Sequence, residues 1–312
     1  MVKNWIPYKL EIVDRMVRVL WLDLGDRPIA EPFFDETIQR SRTQMRRRSH
    51  LVSVSTLAFL CDWALAIDSI QPTAFIFHVS RCGSTLLSQC LATDTQNIVI
   101  PEAPLLDEIL CLDESMLPVS ISRENLFKAA LALLGQSRLE QERFFVKLDS
   151  WHVHRYDWLR QWFPNTPFYF LSREPQAIIR SHEKRRGIQM IPGYLSQDAN
   201  PVKVEEAHYR SFSLFTADVL TSLYNRLSAI RSSHHALDCF FDYGDGMLEM
   251  LAGFDRHVGH IISNWVETSR RLSYHSKYPE QIFEEEQSEW SDFPYRDCLD
   301  SYLKFSQLSL CR

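Results

Sequence analysis

Between Thr73 and Ala92 the chain reads TAFIFHVSRCGSTLLSQCLA, and its centre, Arg81-Cys82-Gly83-Ser84-Thr85, sets a cation and a glycine beside two hydroxyls. A glycine lets backbone N–H groups approach an anion, and a helix beginning at such a turn adds the positive end of its dipole. The nucleotide-triphosphate form of this loop, G-x-x-x-x-G-K-[ST], would need glycine at 78 and lysine at 84, where this chain has His78 and Ser84. A basic residue before the glycine and paired hydroxyls after it remain, a set suited to an anion. A second stretch, FYFLSREPQAIIRSHEKRR from Phe168 to Arg186, places Arg173 at the end of an apolar run and Ser181 eight residues on. Eight residues is just over two helical turns, so one helix face can bring guanidinium and hydroxyl to a single anion. A forked guanidinium suits a terminal phosphate. Read alone, Arg173 could equally form a surface ion pair, with Ser181 merely exposed.

The elements that must carry these groups follow from periodicity. Ala74–Val79 is an apolar, β-rich run, and Leu86, Leu87, Cys90 and Leu91 recur at helical spacing behind the turn. Strands are expected at 97–100, 143–148, 167–171 and 237–241. Helices are expected from Pro101-Glu102 through Leu110, from Ser122 to Gly135, over 153–163, over 174–186 with Pro175 in the first turn, and as one long helix over 201–231. Another should begin at Met247 after the turn Asp242-Tyr243-Gly244-Asp245. Strands alternating with helices predict an α/β fold, a P-loop-like, mainly parallel sheet with helices on both faces. Ligands of such sheets sit at the carboxyl ends of the strands. Residues 1–70 differ: a strand over 16–24 and helices over 32–45 and 54–67 predict an N-terminal, largely helical extension packed on a single domain whose core spans 71–312. Arg40, Arg42, Arg46, Arg47 and Arg48 read first as a solvated helix face.

SRCGSTLL, followed by a strand and then R-E-P-x-A-x-x-x-S, resembles the sulfotransferase superfamily, with the likeness best from Thr73 to Gly187. The resemblance implies an enzyme that moves a sulfuryl group from 3′-phosphoadenylyl sulfate to an acceptor and releases 3′,5′-ADP. It implies that the loop Arg81, Cys82, Gly83, Ser84, Thr85 and Leu86 holds the 5′-phosphosulfate, and that Arg173 and Ser181 hold the 3′-phosphate. Cys82 stands where the family usually has serine. FFVKLDSWHVHRYDWLRQWFPNTPFYFLSRE is similar to the tyrosylprotein branch, which implies that Lys147 is the catalytic lysine. In YHSKYPEQIF, Ser276 and Lys277 could close over the nucleotide, although the Arg-Lys-Gly triplet of cytosolic members is missing. Sulfuryl transfer is an in-line displacement run by positioning and electrostatics. Arg81 and Lys147 could supply the charge on the leaving phosphate, so no metal is expected. The acceptor needs a base. Glu102, just past the strand at 97–100, is the first candidate; Asp149, two residues after Lys147, and His152 are the rivals.

Composition bounds the rest. Net charge is −6, which argues against bulk nucleic-acid binding. Hydrophobic residues make up 45% of the 312, enough to bury a core. The seven cysteines are scattered with no C-x-x-C pair, so neither a disulfide framework nor a zinc site is signalled. The opening MVKNWIPYKLEIVD has no apolar run suited to a secretion signal, and the run at 57–67 is too short to span a bilayer. A cytoplasmic enzyme is expected, acting on a hydroxyl or amine of a small-molecule acceptor, with no nucleic-acid or membrane partner. A degenerate small-molecule kinase and a non-catalytic nucleotide-binding module are the alternatives. Ile188–Gly193 and the N-terminal extension are the expected acceptor walls.

Overall fold

The computed structural model describes residues 4–274 and 293–308. Its central sheet has five strands, β4 (Ala74–His78), β5 (Asn97–Pro101), β6 (Arg143–Lys147), β7 (Phe168–Ser172) and β8 (Asp238–Asp242), in the order β5-β6-β4-β7-β8. The β5/β6 and β7/β8 pairs are parallel. Every residue of β4 and β7 is buried, as strands covered on both faces require, and their sequences, AFIFH and FYFLS, are correspondingly apolar without alternation. The α/β expectation is met.

Within this fold the chain divides into two compact units. The first takes the described residues of 1–75, 85–148 and 262–279; the second takes those of 76–84, 149–261 and 280–312.

In the first unit an antiparallel sheet, β1 (Trp5–Val13), β2 (Met16–Asp23) and β3 (Val54–Ser55), precedes the parallel strands, so the N-terminal region is not mainly helical. β1 escapes sequence reading because its turn, Asp14-Arg15, carries no glycine. Both residues nonetheless adopt positive φ (50° and 61°), as a two-residue hairpin demands, and Val13 pairs with Met16. Helix α1 runs over Phe34–Arg48 and α2 over Leu57–Leu65. α2 starts later than expected because Val54 and Ser55 pair with β2 and the Thr56 side chain then caps the helix at Phe59 N–H. Helix α3 covers Ser84–Leu91, α4 Pro104–Cys111 and α5 Arg123–Leu134. α5 is capped by Ser122 and stopped at Gly135, as read from sequence.

In the second unit a short 3₁₀ turn, Ser150–Arg155, leads into α6 (Tyr156–Trp162), and α7 spans Pro175–Lys184 behind a Glu174 N-cap. The single helix expected over 201–231 is two, α8 (Glu206–Arg210) and α9 (Phe212–Ser232). Ser211 is extended (φ −140°, ψ 97°), and its hydroxyl accepts from Leu214 N–H, starting a new helix. Then come α10 (Met247–Val258) and α12 (Arg296–Gln307), with α11 (Trp265–Arg270) in the first unit. No helix among the described residues is long and apolar enough to cross a membrane.

Candidate functional site

The loop after β4 is built on left-handed backbone. Ser80 (φ 77°), Arg81 (φ 52°) and Gly83 (φ 84°) all have positive φ. Successive turns of this kind point N–H groups into a concavity that suits an anion. Only the glycine adopts it without cost, and a Cβ at Gly83 would also meet Met247 Sδ at 3.1 Å. Cys82 is fully buried, and its thiol donates to the Leu171 carbonyl of β7 at 3.4 Å. The cysteine side chain thus tethers the loop to its neighbouring strand and leaves the backbone to face outward. This is the physical role of the residue that departs from the expected serine.

Arg81 donates from Nη2 to the carbonyl of Arg185, the C-cap of α7. Arg173 donates in turn to the Arg81 carbonyl at 3.1 Å, and its guanidinium lies 4.0 Å from the centre of the Tyr243 ring. Tyr224, fully buried, donates its hydroxyl to the Arg173 carbonyl at 2.5 Å; burial holds that phenol protonated. Arg173 is therefore fixed by backbone and ring contacts rather than by the surface ion pair that the sequence left open. Ser181 is half-buried on α7, its carbonyl accepting from Arg185 N–H at 3.1 Å. The turn at Asp242 is held by Ser172, whose hydroxyl donates to Asp242 Oδ2 at 2.8 Å, so this acidic segment is structural and presents the Tyr243 ring to Arg173.

A second cluster lies at the ends of β5 and β6. Lys147, the last residue of β6, is 1% exposed, and a lysine so buried requires a partner. Its ammonium donates to Glu102 Oε1 and, at 3.2 Å, to Thr85 Oγ1. Glu102 directly follows β5, in register with β6. It sits at φ 58°, a conformation that costs a non-glycine residue on the order of 1 kcal/mol or more. Its N–H donates to the Lys147 carbonyl at 2.8 Å, so the strained turn binds both the backbone and the side chain of the lysine. The Phe33 ring faces the ammonium at 5.6 Å. Asp35, in the first turn of α1, has its carboxyl pushed above the usual range by burial and by the charge of Glu102. Sequence reading missed Phe33 and Asp35; both lie more than sixty positions from Glu102, and no periodic signal ties them to it.

The rival bases have structural duties. Asp149 and His152 form a reciprocal capping box at the 3₁₀ turn, with His152 Nδ1 accepting from Asp149 N–H at 3.2 Å. His152 is 1% exposed. Ser84 and Leu86 are buried at the start of α3. Lys277 and Ser276 lie outside the described residues.

No protein-family model and no curated protein matches the chain. Solved structures do. It is similar to the sulfotransferase STF1 from Mycobacterium tuberculosis H37Rv at 13% identity, over 77% of this chain and 78% of that one, with a TM-score of 0.47. It is similar to the sulfotransferase domain from the curacin biosynthetic pathway at 14% identity, over 67% and 80%, with a TM-score of 0.42. A sulfotransferase from Alicyclobacillus acidocaldarius gives 13% identity over 65% and 90%, with a TM-score of 0.39. At such identities the likeness is one of fold and assigns no reaction or residue here.

Proposed function

We propose that the protein is a sulfotransferase that moves a sulfuryl group from 3′-phosphoadenylyl sulfate to a hydroxyl or amine of a small-molecule acceptor. The observation that carries this reading is the buried Lys147 ammonium held between Glu102 and Thr85, the latter in the first turn of the helix that the glycine loop opens. A pure nucleotide binder has no need of a buried lysine–glutamate pair. Arg81, Cys82, Gly83, Ser84, Thr85 and Leu86 bind the 5′-phosphosulfate, chiefly through backbone N–H groups. Arg173 and Ser181 bind the 3′-phosphate.

The acceptor oxygen or nitrogen attacks sulfur as the bond from sulfur to the bridging oxygen breaks. The electron pair leaves on the phosphate of 3′,5′-ADP, where Arg81 and Lys147 stabilise it, and the acceptor's proton passes to Glu102. Lys147 donates to Glu102 Oε1, so the proposed base and the proposed cation are held together.

Thermal shift with 3′,5′-ADP against ATP–Mg²⁺ separates this reading from a kinase, since a ligand selective for the folded state raises the midpoint. A rise with 3′,5′-ADP alone is expected. A rise with ATP–Mg²⁺ alone would overturn the reading in favour of phosphoryl transfer. Incubation with ³⁵S-labelled donor and a panel of hydroxyl and amine acceptors then identifies the acceptor class.

A further inference from the structure

We infer that the Ser80 hydroxyl is an additional anion-binding donor of the loop, and that His182 and Gln189 are positioning residues that aim it. This rests on the loop being the cradle of the 5′-phosphate.

Ser80 Oγ lies 3.1 Å from His182 Nε2, a pairing that at first sight suggests a serine nucleophile and its base. The far side of the imidazole reverses that polarity. Gly187 N–H donates to His182 Nδ1 at 3.1 Å, so Nδ1 is the acceptor and the ring proton of the neutral imidazole sits on Nε2. His182 therefore donates to Ser80 and cannot take its proton. Gln189 Nε2 donates to the same oxygen at 3.0 Å. A hydroxyl accepts twice and donates once, so with both lone pairs engaged, one capacity remains: its own O–H, directed away from His182 and Gln189.

The backbone at this position is equally constrained. Ser80 holds φ 77° and donates its N–H to His78 Nδ1 at 3.0 Å. Ser80 and His182 are 5% and 1% exposed, which shields these bonds from competing water. Arg81 adds a second tie to the end of α7 through the Arg185 carbonyl. The end of α7 and the turn after it thus hold a strained loop with one hydroxyl proton fixed in direction. A donor oriented before its ligand arrives needs no reorganisation when an anion binds. Gln189 falls in the segment 188–193 expected to wall the acceptor, and its side chain bonds the loop.

The test measures affinity of the full chain for 3′,5′-ADP and for adenosine 3′-phosphate, which lacks the 5′-phosphate. Ser80→Gly removes the hydroxyl while tolerating positive φ. It should weaken 3′,5′-ADP roughly 10- to 100-fold, the range for a hydrogen bond to a charged group, and adenosine 3′-phosphate by no more than about 2-fold. His182→Gln can present an amide N–H near the Nε2 position and should retain most of the affinity. His182→Asn can accept from Gly187 but falls short of Ser80, and should lose affinity as Ser80→Gly does. The double variant Ser80→Gly/His182→Asn should be no weaker than either single, because both remove one interaction. Gln189→Leu should give a smaller loss in the same direction.

Equal losses for both nucleotides in Ser80→Gly would overturn the inference in favour of a purely structural serine, and additive losses in the double variant would uncouple His182 from it. Wild-type protein that binds 3′,5′-ADP beside an indifferent Ser80→Gly sinks this inference alone. Wild-type protein that binds neither nucleotide sinks the reading of the loop, and this inference with it.

Discussion

The two clusters that the sequence marked for chemistry handle charge in opposite ways. At the ends of β5 and β6 a lysine is buried and matched by a carboxylate and a hydroxyl. Around the loop after β4, arginines are anchored on backbone carbonyls and an aromatic ring: Arg81 on Arg185, Arg173 on Arg81 and Tyr243. Backbone carbonyls position these guanidiniums. The ion pair instead fixes ammonium and carboxylate against one another. The two clusters thus differ in what anchors their cations: a carboxylate and a hydroxyl in one, carbonyls and a ring in the other.

Four measurements would break or sharpen that contrast. The largest effect is expected from Glu102→Gln. The amide keeps an oxygen toward Lys147 but takes no proton at neutral pH, so kcat should fall by about 10²–10⁴ while 3′,5′-ADP affinity barely changes. Stopped-flow or steady-state turnover with calorimetry in parallel checks both halves, with Asp149→Asn as the control. A near-normal Glu102→Gln enzyme beside an inactive Asp149→Asn enzyme would move the base into the second unit.

Next is Arg173→Ala, which should weaken 3′,5′-ADP by about one to two decades and 5′-AMP much less, because only the former carries a 3′-phosphate. Equal losses would mean that the guanidinium serves another part of the ligand.

Gly83→Ala should cost about 1–2 kcal/mol of stability, from φ 84° and the contact with Met247, and lower the melting temperature by a few degrees. Met247→Ala in the same chain should recover the packing part and leave the backbone part, which a thermal scan resolves.

The last measurement concerns a carboxylate outside both clusters. Burial pushes Glu108 up to about 7, against an unfolded value near 4.5, although its oxygen accepts from Leu10 N–H at 2.5 Å. A raised folded value means that the folded state holds the proton more tightly. The contribution is therefore fully present below about pH 4.5 and is lost as pH rises toward and through 7. Glu108→Gln should therefore melt above wild type at pH 8, by the equivalent of about 2 kcal/mol, and the gap should narrow by pH 5. A gap that widens toward acid would refute the assignment.

Much of the fold was legible because its signals are local. Ser122 and Gly135 bracket α5, and Glu174-Pro175 starts α7, since a cap needs only neighbours in sequence. The apolar strands β4, β6 and β7 stand out because burial on both faces removes every polar residue from their centres. The failures have local causes of another kind. β1 and β2 join through a turn whose residues, Asp14 and Arg15, carry no glycine signature, and helix periodicity runs past Ser211 although its hydroxyl ends the register.

Residue types and spacing pointed to a glycine loop after a strand with a cation and hydroxyls, and to Arg173 and Ser181, whereas Lys147 came from the resemblance to the tyrosylprotein branch and Glu102 from that resemblance together with its place after a strand. Only tertiary structure decided who holds whom. Lys147 finds Glu102 across 45 positions and Thr85 across 62, and Ser80 meets His182 across 102. A sequence lists donors and acceptors, but direction is set by the bond made on the far side of each group. Gly187 fixes the proton of His182, Cys82 turns inward to Leu171, and Tyr224 holds the backbone of Arg173. The first is local, but the bonds of Cys82 and Tyr224 span 89 and 51 positions and exist only in the folded chain.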